Sequence, residues 1–191
     1  MKNSKRILKG AVIFGYVLGL LGSIGGNLAL MRANKELLMT YQQLQNVVLL
    51  PTGALLRPLH AKDRMGSEVI LNYKTREKRT VLMVLGPSCP ICEDNWPNWS
   101  RIISSVNPDV ADIVALDLSS AATDEYIRAH ALDRVTLLDA IDPNSMLEHR
   151  LRLTPTTVLV NAKGYVEGSW LGVLDDSAMK QLIAGVTRSA S

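Results

Sequence analysis

The 191-residue sequence is poor in cysteine, histidine and phenylalanine, and its charges nearly balance. The net charge of +3 is small and scattered, and no basic patch interleaved with aromatic residues occurs, which excludes nucleic-acid binding as the main role. The three histidines, His60, His130 and His149, lack any metal-ligand spacing. We interpret them as surface or hydrogen-bonded residues and predict neither a metal site nor a cofactor.

The longest stretch without charge lies near the N-terminus. As a helix, residues 10–31 would extend about 33 Å, enough to cross a bilayer. A cleaved signal peptide would have a shorter apolar core and a small-residue cleavage site, which this run lacks. The positive-inside rule predicts a single-pass helix in the inner (cytoplasmic) membrane, with residues 1–9 cytoplasmic and everything after Met31 extracytoplasmic. This orientation is predicted from the four basic residues that precede the run, Lys2, Lys5, Arg6 and Lys9.

A stripe of small residues marks one face of this predicted helix. Glycines on one helical face let two transmembrane backbones approach closely, which suggests a homodimer or pairing with another membrane protein. The stripe consists of Gly15, Gly19, Gly22 and Gly26. Apolar residues at the a/d spacing of a coiled coil continue this face into a predicted helical stalk over residues 32–50. The alternatives are that these glycines are ordinary for a membrane helix and that the stalk packs on the chain's own domain.

Pro51-Thr52-Gly53 ends the predicted stalk and opens a domain over residues 51–188, followed by a short tail, 189–191. Alternation, apolar runs and helix signals predict an α/β domain, with a mixed central sheet and helices on both faces. The predicted strands cover residues 68–73, 80–85, 112–118, 135–138, 156–160 and 165–171. The predicted helices cover residues 90–106, 122–131, 143–151 (a helix or a turn) and a final segment capped by Asp175.

Both cysteines, Cys89 and Cys92, lie in one short motif directly after the apolar run 81–85. Zinc would require two more ligands, and a structural disulfide would close too small a loop to stabilise the fold much. Haem attachment requires histidine after the second cysteine, where Glu93 stands. A redox-active dithiol at the N-terminus of a helix fits the context best.

A helix N-terminus would stabilise Cys89 as a thiolate, the form that attacks disulfides, and Cys92 would resolve the mixed disulfide. Glu93 and Asp94 would oppose the thiolate, because nearby negative charge raises a thiol pKa. We therefore predict a thiol less acidic than in strong oxidants, and a reductase in preference to an oxidase.

Thr154-Pro155 stands just before the predicted strand 156–160. With this pair and the C-P-I-C motif, the sequence resembles the thioredoxin superfamily, in which a cis-proline loop faces the two cysteines. The resemblance implies a thioredoxin-like fold with Pro155 in the cis form. It also implies that Thr154 offers its backbone to a substrate peptide by strand addition.

Within that superfamily, residues 55–186 resemble the membrane-anchored TlpA/ResA/CcmG group. The shared features are the anchor, the N-terminal hairpin, the C-P-I-C motif and Trp96-Pro97, with Trp96 beside the substrate site. The resemblance implies an enzyme that reduces disulfides of extracytoplasmic proteins, for example in cytochrome c or other metalloenzyme maturation. A membrane electron donor would re-reduce it. The Pro-Ser-Cys-Pro-Ile-Cys run also resembles MauD-type maturation factors.

Three positions depart from the family pattern. Ser88 replaces a tryptophan, Met83 replaces the buried aspartate of thioredoxins, and Asn95 replaces a glutamate of the ResA group. The group that handles protons is therefore not identified by the resemblance. A disulfide oxidase or isomerase, a non-catalytic binding module and a scaffold that dimerises through its membrane stripe stay open, whereas peroxiredoxin activity is excluded because the Pro-x-x-x-Thr-x-x-Cys motif is absent.

Overall fold

The computed structural model describes residues 19–40 and 49–188, in two separate compact units. Residues 19–40 are helical, and their side chains are exposed. Two predicted segments lie outside the described residues. They are residues 10–18 of the predicted membrane helix, which include Gly15, and residues 41–48 of the predicted stalk. Within the two described ranges, no helix is both long and apolar enough to span a bilayer.

The second unit contains a seven-stranded mixed sheet with the strand order β2-β1-β5-β4-β3-β6-β7. Short 3-10 turns lie at Tyr73–Thr75 and Leu132–Arg134. The strands are β1 Leu59–Asp63, β2 Glu68–Leu71, β3 Arg79–Leu85, β4 Ala111–Asp117, β5 Thr136–Asp139, β6 Thr156–Val160 and β7 Val166–Leu171. The helices are α1 Pro90–Ser105, α2 Asp124–Ala129, α3 Pro143–Glu148 and α4 Asp176–Thr187.

Strand β3 lies at the centre of this sheet, parallel to β4 and antiparallel to β6. All seven of its residues are buried. Val81, Met83 and Leu85 join a core cluster that includes α1, α2 and α4, whereas Leu82 and Val84 join the opposite cluster, which α3 helps to cover. The prediction of a mixed sheet with helices on both faces is confirmed.

Strand β1 is the element to which the local sequence pattern assigned no residues, although the resemblance implied an N-terminal hairpin. Leu59 and Ala61 are buried while His60 and Lys62 are exposed, so the strand does alternate. However, alanine, histidine, lysine and aspartate are weak strand formers. The segment is a strand because β2 and β5 pair with it on its two sides, and neither pairing is visible in the local sequence.

The other predicted elements are present, with boundaries that shift by a few residues. The strand predicted over residues 68–73 ends at Leu71, because Tyr73 opens a 3-10 turn. The helix predicted over residues 122–131 is shorter, since Thr123 caps its start and Ala131 takes a left-handed conformation after its end. Asp175 caps α4 as predicted, with its carboxylate accepting a hydrogen bond from the Ala178 amide at 2.7 Å.

A buried hydrogen bond ties α1 to the sheet. The Trp99 indole nitrogen donates to the Thr157 hydroxyl of β6 at 2.9 Å, and both residues are fully buried. Breaking one side of such a bond leaves the other group without a partner, away from water.

We predict that Trp99→Phe and Thr157→Val each lower the free energy of unfolding by about 1–3 kcal/mol, because each leaves a buried polar group unsatisfied or a small void. The double variant should lose clearly less than the sum, since both partners are then absent. Urea unfolding of the four proteins measures this, with Trp170→Phe as a control for the loss of an indole. Strictly additive losses would show that the bond does not couple the two residues.

Candidate active site

The two cysteines lie where the central strand passes into its helix. β3 ends at Leu85, and Cys89 is the residue that caps α1, with extended backbone angles (φ −99°, ψ 106°). Its sulfur accepts a hydrogen bond from the Cys92 amide at 3.2 Å. Pro90 takes the first helical position, where no backbone N–H is needed. The structure therefore places Cys89 at the helix N-terminus, as the sequence predicted.

The two thiols differ in access. Cys89 is partly exposed, Cys92 is fully buried, and both are free thiols. Because Cys92 lies one turn into α1 with its side chain in the core, only Cys89 is open to another molecule.

The same difference appears in their acidity. Burial by itself would raise the pKa of Cys89, but hydrogen bonds from the Cys92 thiol, from Thr154 and from the backbone of α1 outweigh it and lower the pKa below the ordinary value. Burial, followed by its hydrogen bond with Cys89, raises the pKa of Cys92 to about 12. The site therefore combines one accessible, acidic thiol with one buried thiol that holds its proton.

The Thr154–Pro155 segment faces this dithiol. The peptide bond between the two residues is cis, as the resemblance implied, and it leads directly into β6. The Cys89 thiol donates to the Thr154 carbonyl oxygen at 3.7 Å. Two motifs that are 65 residues apart in sequence thus meet at one end of the sheet.

A loop after β7 completes the surroundings. The Gly172 amide donates to the Pro155 carbonyl at 2.9 Å, and the Leu174 amide donates to the side-chain oxygen of Asn95 at 2.9 Å. The loop is thereby attached both to the proline segment and to α1. The sequence analysis did not identify this loop, because nothing local indicates its two long-range bonds.

Exposed apolar side chains stand on each of these three segments. Ile91 follows Cys89 on α1, Leu153 precedes Thr154, and Val173 lies between the two bonded residues of the loop. About half of each side chain is exposed. We call these three residues the apolar rim.

Trp96 lies deeper than expected for a residue beside the substrate site. It is only 8% exposed and packs edge-on against Trp99 and His130, at centroid distances of 5.3 and 4.2 Å. Its contact with a substrate stays a prediction. Ser88 is exposed, whereas Met83 and Asn95 are fully buried.

His130 is a neighbour of the site that the sequence analysis missed. Its Nε2 lies 3.0 Å from a carboxylate oxygen of Glu93, on the first turn of α1. The two residues are 37 positions apart, and neither belongs to a motif, so no sequence signal links them. The opposing effect of Glu93 and Asp94 on the Cys89 thiolate stays a prediction.

Among the residues that the structure describes, no cluster of three or more histidine, cysteine or acidic side chains could hold a metal ion. The chemistry that the described geometry itself supports is exchange between thiols and disulfides, because an acidic, accessible thiol and a second thiol lie within one helical turn.

Solved structures with the same fold include thiol-disulfide proteins. StoA from Bacillus subtilis is 19% identical, with a TM-score of 0.52 over 65% of this chain and 96% of that one. A thiol-disulfide isomerase from Corynebacterium glutamicum is 20% identical, with a TM-score of 0.56 over 73% of this chain and 100% of that one. The thioredoxin domain of a Bacteroides vulgatus thiol-disulfide oxidoreductase is 15% identical, with a TM-score of 0.56 over 72% and 99%.

The sequence matches no protein-family model and no curated protein. At such low identities, the structural likeness shows the fold, which is a mixed α/β thioredoxin-like fold, as the sequence predicted.

The hydrogen bonds to Cys89 generate a prediction about acidity. Alkylation of Cys89 should rise with pH to a midpoint below about 8.5, the ordinary value for a cysteine, because only the thiolate reacts. Cys92→Ala should move this midpoint upward, since it removes a hydrogen bond that stabilises the thiolate. Rates of reaction with iodoacetamide across pH measure both, with the adjacent exposed Ser88→Ala as control. An unchanged midpoint in Cys92→Ala would contradict this account.

Proposed function

We propose that this protein is a thiol–disulfide oxidoreductase that acts on disulfides of other proteins through Cys89 and Cys92. The observation that carries the proposal is the pairing of an accessible thiol of lowered pKa at a helix N-terminus with a buried thiol one turn further on. The names of the similar solved structures are consistent with it.

The exchange proceeds in two steps. The Cys89 thiolate attacks one sulfur of the partner's disulfide, so that a Cys89–partner disulfide forms and the partner's other sulfur leaves as a thiolate. Cys92 then loses its proton and attacks the Cys89 sulfur, which forms the Cys89–Cys92 disulfide and releases the second partner thiolate. Two electrons pass to the partner, and an electron donor must later reduce the Cys89–Cys92 disulfide.

Partner binding is assigned to the segments that surround Cys89. The backbone of Thr154 lies beside the attacking sulfur, where an extended peptide could add alongside it as a strand. The apolar rim would bury side chains on both sides of the partner's cysteine. Such a mode suits an extended or unfolded segment that presents a disulfide.

Reduction is the proposed direction. The Pro90-Ile91 spacer carries no positive charge that would stabilise the reduced form, which is the device of a strong oxidant. The proposed substrates are disulfide-containing extracytoplasmic proteins, such as those of cytochrome c or other metalloenzyme maturation, and a MauD-like maturation role is the alternative.

We predict a reduction potential for the Cys89–Cys92 couple near that of thioredoxin, about −270 mV. The purified full chain, equilibrated in defined dithiothreitol or glutathione buffers, gives this value from the fraction of each form. A potential near −120 mV would indicate an oxidase instead. Cys89→Ser, which cannot form the Cys89–Cys92 disulfide, is the matched control. A wild-type chain that shows no reversible dithiol–disulfide couple would contradict the proposed enzyme activity.

A membrane location follows from the charge-free run 10–31 and its basic flank. In this proposal the helix anchors the chain in the inner membrane, the domain lies outside the cytoplasm, and the stripe of Gly15, Gly19, Gly22 and Gly26 pairs two copies or another membrane protein. The re-reducing electron donor would then also be a membrane protein.

We predict that the full chain, expressed in a bacterium with an inner membrane, stays in the membrane fraction after alkaline carbonate washing. A fragment starting at residue 49 should be released, because it lacks the apolar run. Protease added to spheroplasts should digest the domain, because the proposed topology places it outside the cytoplasm. Release of the full chain by carbonate, or protection of the domain, would contradict the anchored topology.

A further inference from the structure

Two asparagines of α1, Asn95 and Asn98, bind the loop that follows β7. The Asn95 side-chain oxygen accepts a hydrogen bond from the Leu174 amide at 2.9 Å, and the Asn98 side-chain nitrogen donates to the Leu174 carbonyl at 2.9 Å. The same Asn98 nitrogen also donates to the Asn95 oxygen at 3.2 Å. Both polar backbone groups of Leu174 are thus bound by one helix. We call Asn95 and Asn98 the asparagine clamp.

The backbone of Leu174 determines how each amide of the clamp is oriented. Its N–H can only donate, so Asn95 must present its oxygen there. Its carbonyl can only accept, so Asn98 must present its nitrogen. The two side chains are therefore matched, atom by atom, to one residue of the loop.

The clamp is not explained by the stability of the core. Asn95 is fully buried, and its side-chain nitrogen has no hydrogen-bond partner within the described part of the chain. A buried donor without a partner destabilises the fold, and an apolar side chain of similar size would avoid that cost. Cys92 and Trp99, one turn away on either side along α1, already belong to the core cluster there. What Asn95 adds at this position is the attachment of the loop.

The other end of the same loop is attached to the proline segment. The Gly172 amide donates to the Pro155 carbonyl at 2.9 Å, and its φ of +85° is one that glycine adopts without strain. Between the two attachments, Val173 is about half exposed, whereas Leu174 is buried. Hydrogen bonds therefore connect α1 to the loop and the loop to Pro155, with Val173 of the apolar rim between the two connections.

The clamp does not bind the attacking thiol. The hydrogen bonds described for the Cys89 sulfur join it to the Cys92 amide and to the Thr154 carbonyl, not to either asparagine. The clamp can therefore influence the surface around Cys89 without changing the groups that stabilise its thiolate.

We propose that the asparagine clamp positions residues 172–174 as one wall of the partner-binding surface, so that exchange with protein disulfides depends on the clamp and exchange with small disulfides does not. The proposal rests on the dithiol function proposed above, and it makes Asn95 and Asn98 positioning residues. A protein disulfide brings a length of chain that must lie beside Thr154 and against Val173, which requires the loop to be in place. A small disulfide has only to reach the Cys89 sulfur.

Two reactions of the purified full chain separate these cases. Reduction of insulin, with dithiothreitol as the electron donor, gives kcat and KM for a protein disulfide. Stopped-flow absorbance of the reduced chain with dithiobis(nitrobenzoate), a small disulfide that releases a coloured thiolate, gives the reactivity of Cys89 itself. The variants are Asn95→Leu and Asn98→Ala, neither of which adds a charge. Asn144→Ala, which removes an exposed asparagine from α3, is the matched control.

In both clamp variants the KM for insulin should rise at least about tenfold, because the loop no longer holds its place in the binding surface. Their kcat, and their rate with dithiobis(nitrobenzoate), should stay within about threefold of the wild type. The double variant should lose little more than either single variant, since both asparagines hold the same residue of the loop. Asn144→Ala should match the wild type in both reactions.

An insulin KM within about twofold of the wild type, in either folded clamp variant, overturns the proposal. A loss of equal size with both disulfides also overturns it, because the clamp would then act on the thiol or on the fold. Asn98 is only partly buried, so Asn98→Ala decides the question if circular dichroism shows that Asn95→Leu does not fold. A wild-type chain that releases one coloured thiolate only and does not reduce insulin instead overturns the dithiol function itself.

Discussion

The junction between β3 and α1 is the constraint on which the rest of the site depends. β3 is buried on both faces, so the chain can leave the sheet only at its end, and α1 must start there. That start gives Cys89 its exposure and its backbone hydrogen bonds, which lower its pKa together with hydrogen bonds from the Cys92 thiol and from Thr154. The bond between Trp99 and Thr157 holds the same helix against β6, the strand that presents Thr154 and Pro155. The orientation of α1 and the position of the proline segment therefore depend on the same contact between layers.

Asn95 and Met83, which carry no titratable group, contribute hydrogen bonds and packing to this part of the structure and not proton transfer. Asn95 is fully buried, and its oxygen accepts from the Leu174 amide and from the Asn98 side chain. It therefore fastens the loop that also bonds Pro155. Met83 fills the core beneath the helix as an apolar residue. At these two buried positions the chain therefore has side chains that serve packing and hydrogen bonding.

The sequence was sufficient for features that depend on local chemistry, and insufficient for those made by distant pairings. The Cys89-Pro90 pair alone indicates the start of a helix. The apolar run in β3 indicates a strand that is covered on both faces. β1 could not be recognised in this way, because weak strand formers become a strand only through their neighbours. The Glu93–His130 contact is hidden for the same reason: a contact between an exposed helical turn and the end of a separate helix leaves no periodicity in the sequence.

That hidden contact also changes how the acidic residues after the motif are understood. From the sequence, Glu93 and Asp94 are equivalent charges near a helix N-terminus, and both should oppose a thiolate. In the structure they are not equivalent, because a carboxylate oxygen of Glu93 lies 3.0 Å from the His130 Nε2, whereas Asp94 is exposed and has no described partner. The Glu93 side chain is therefore tied to the residue that ends α2, whereas the Asp94 side chain on the same turn of α1 is not.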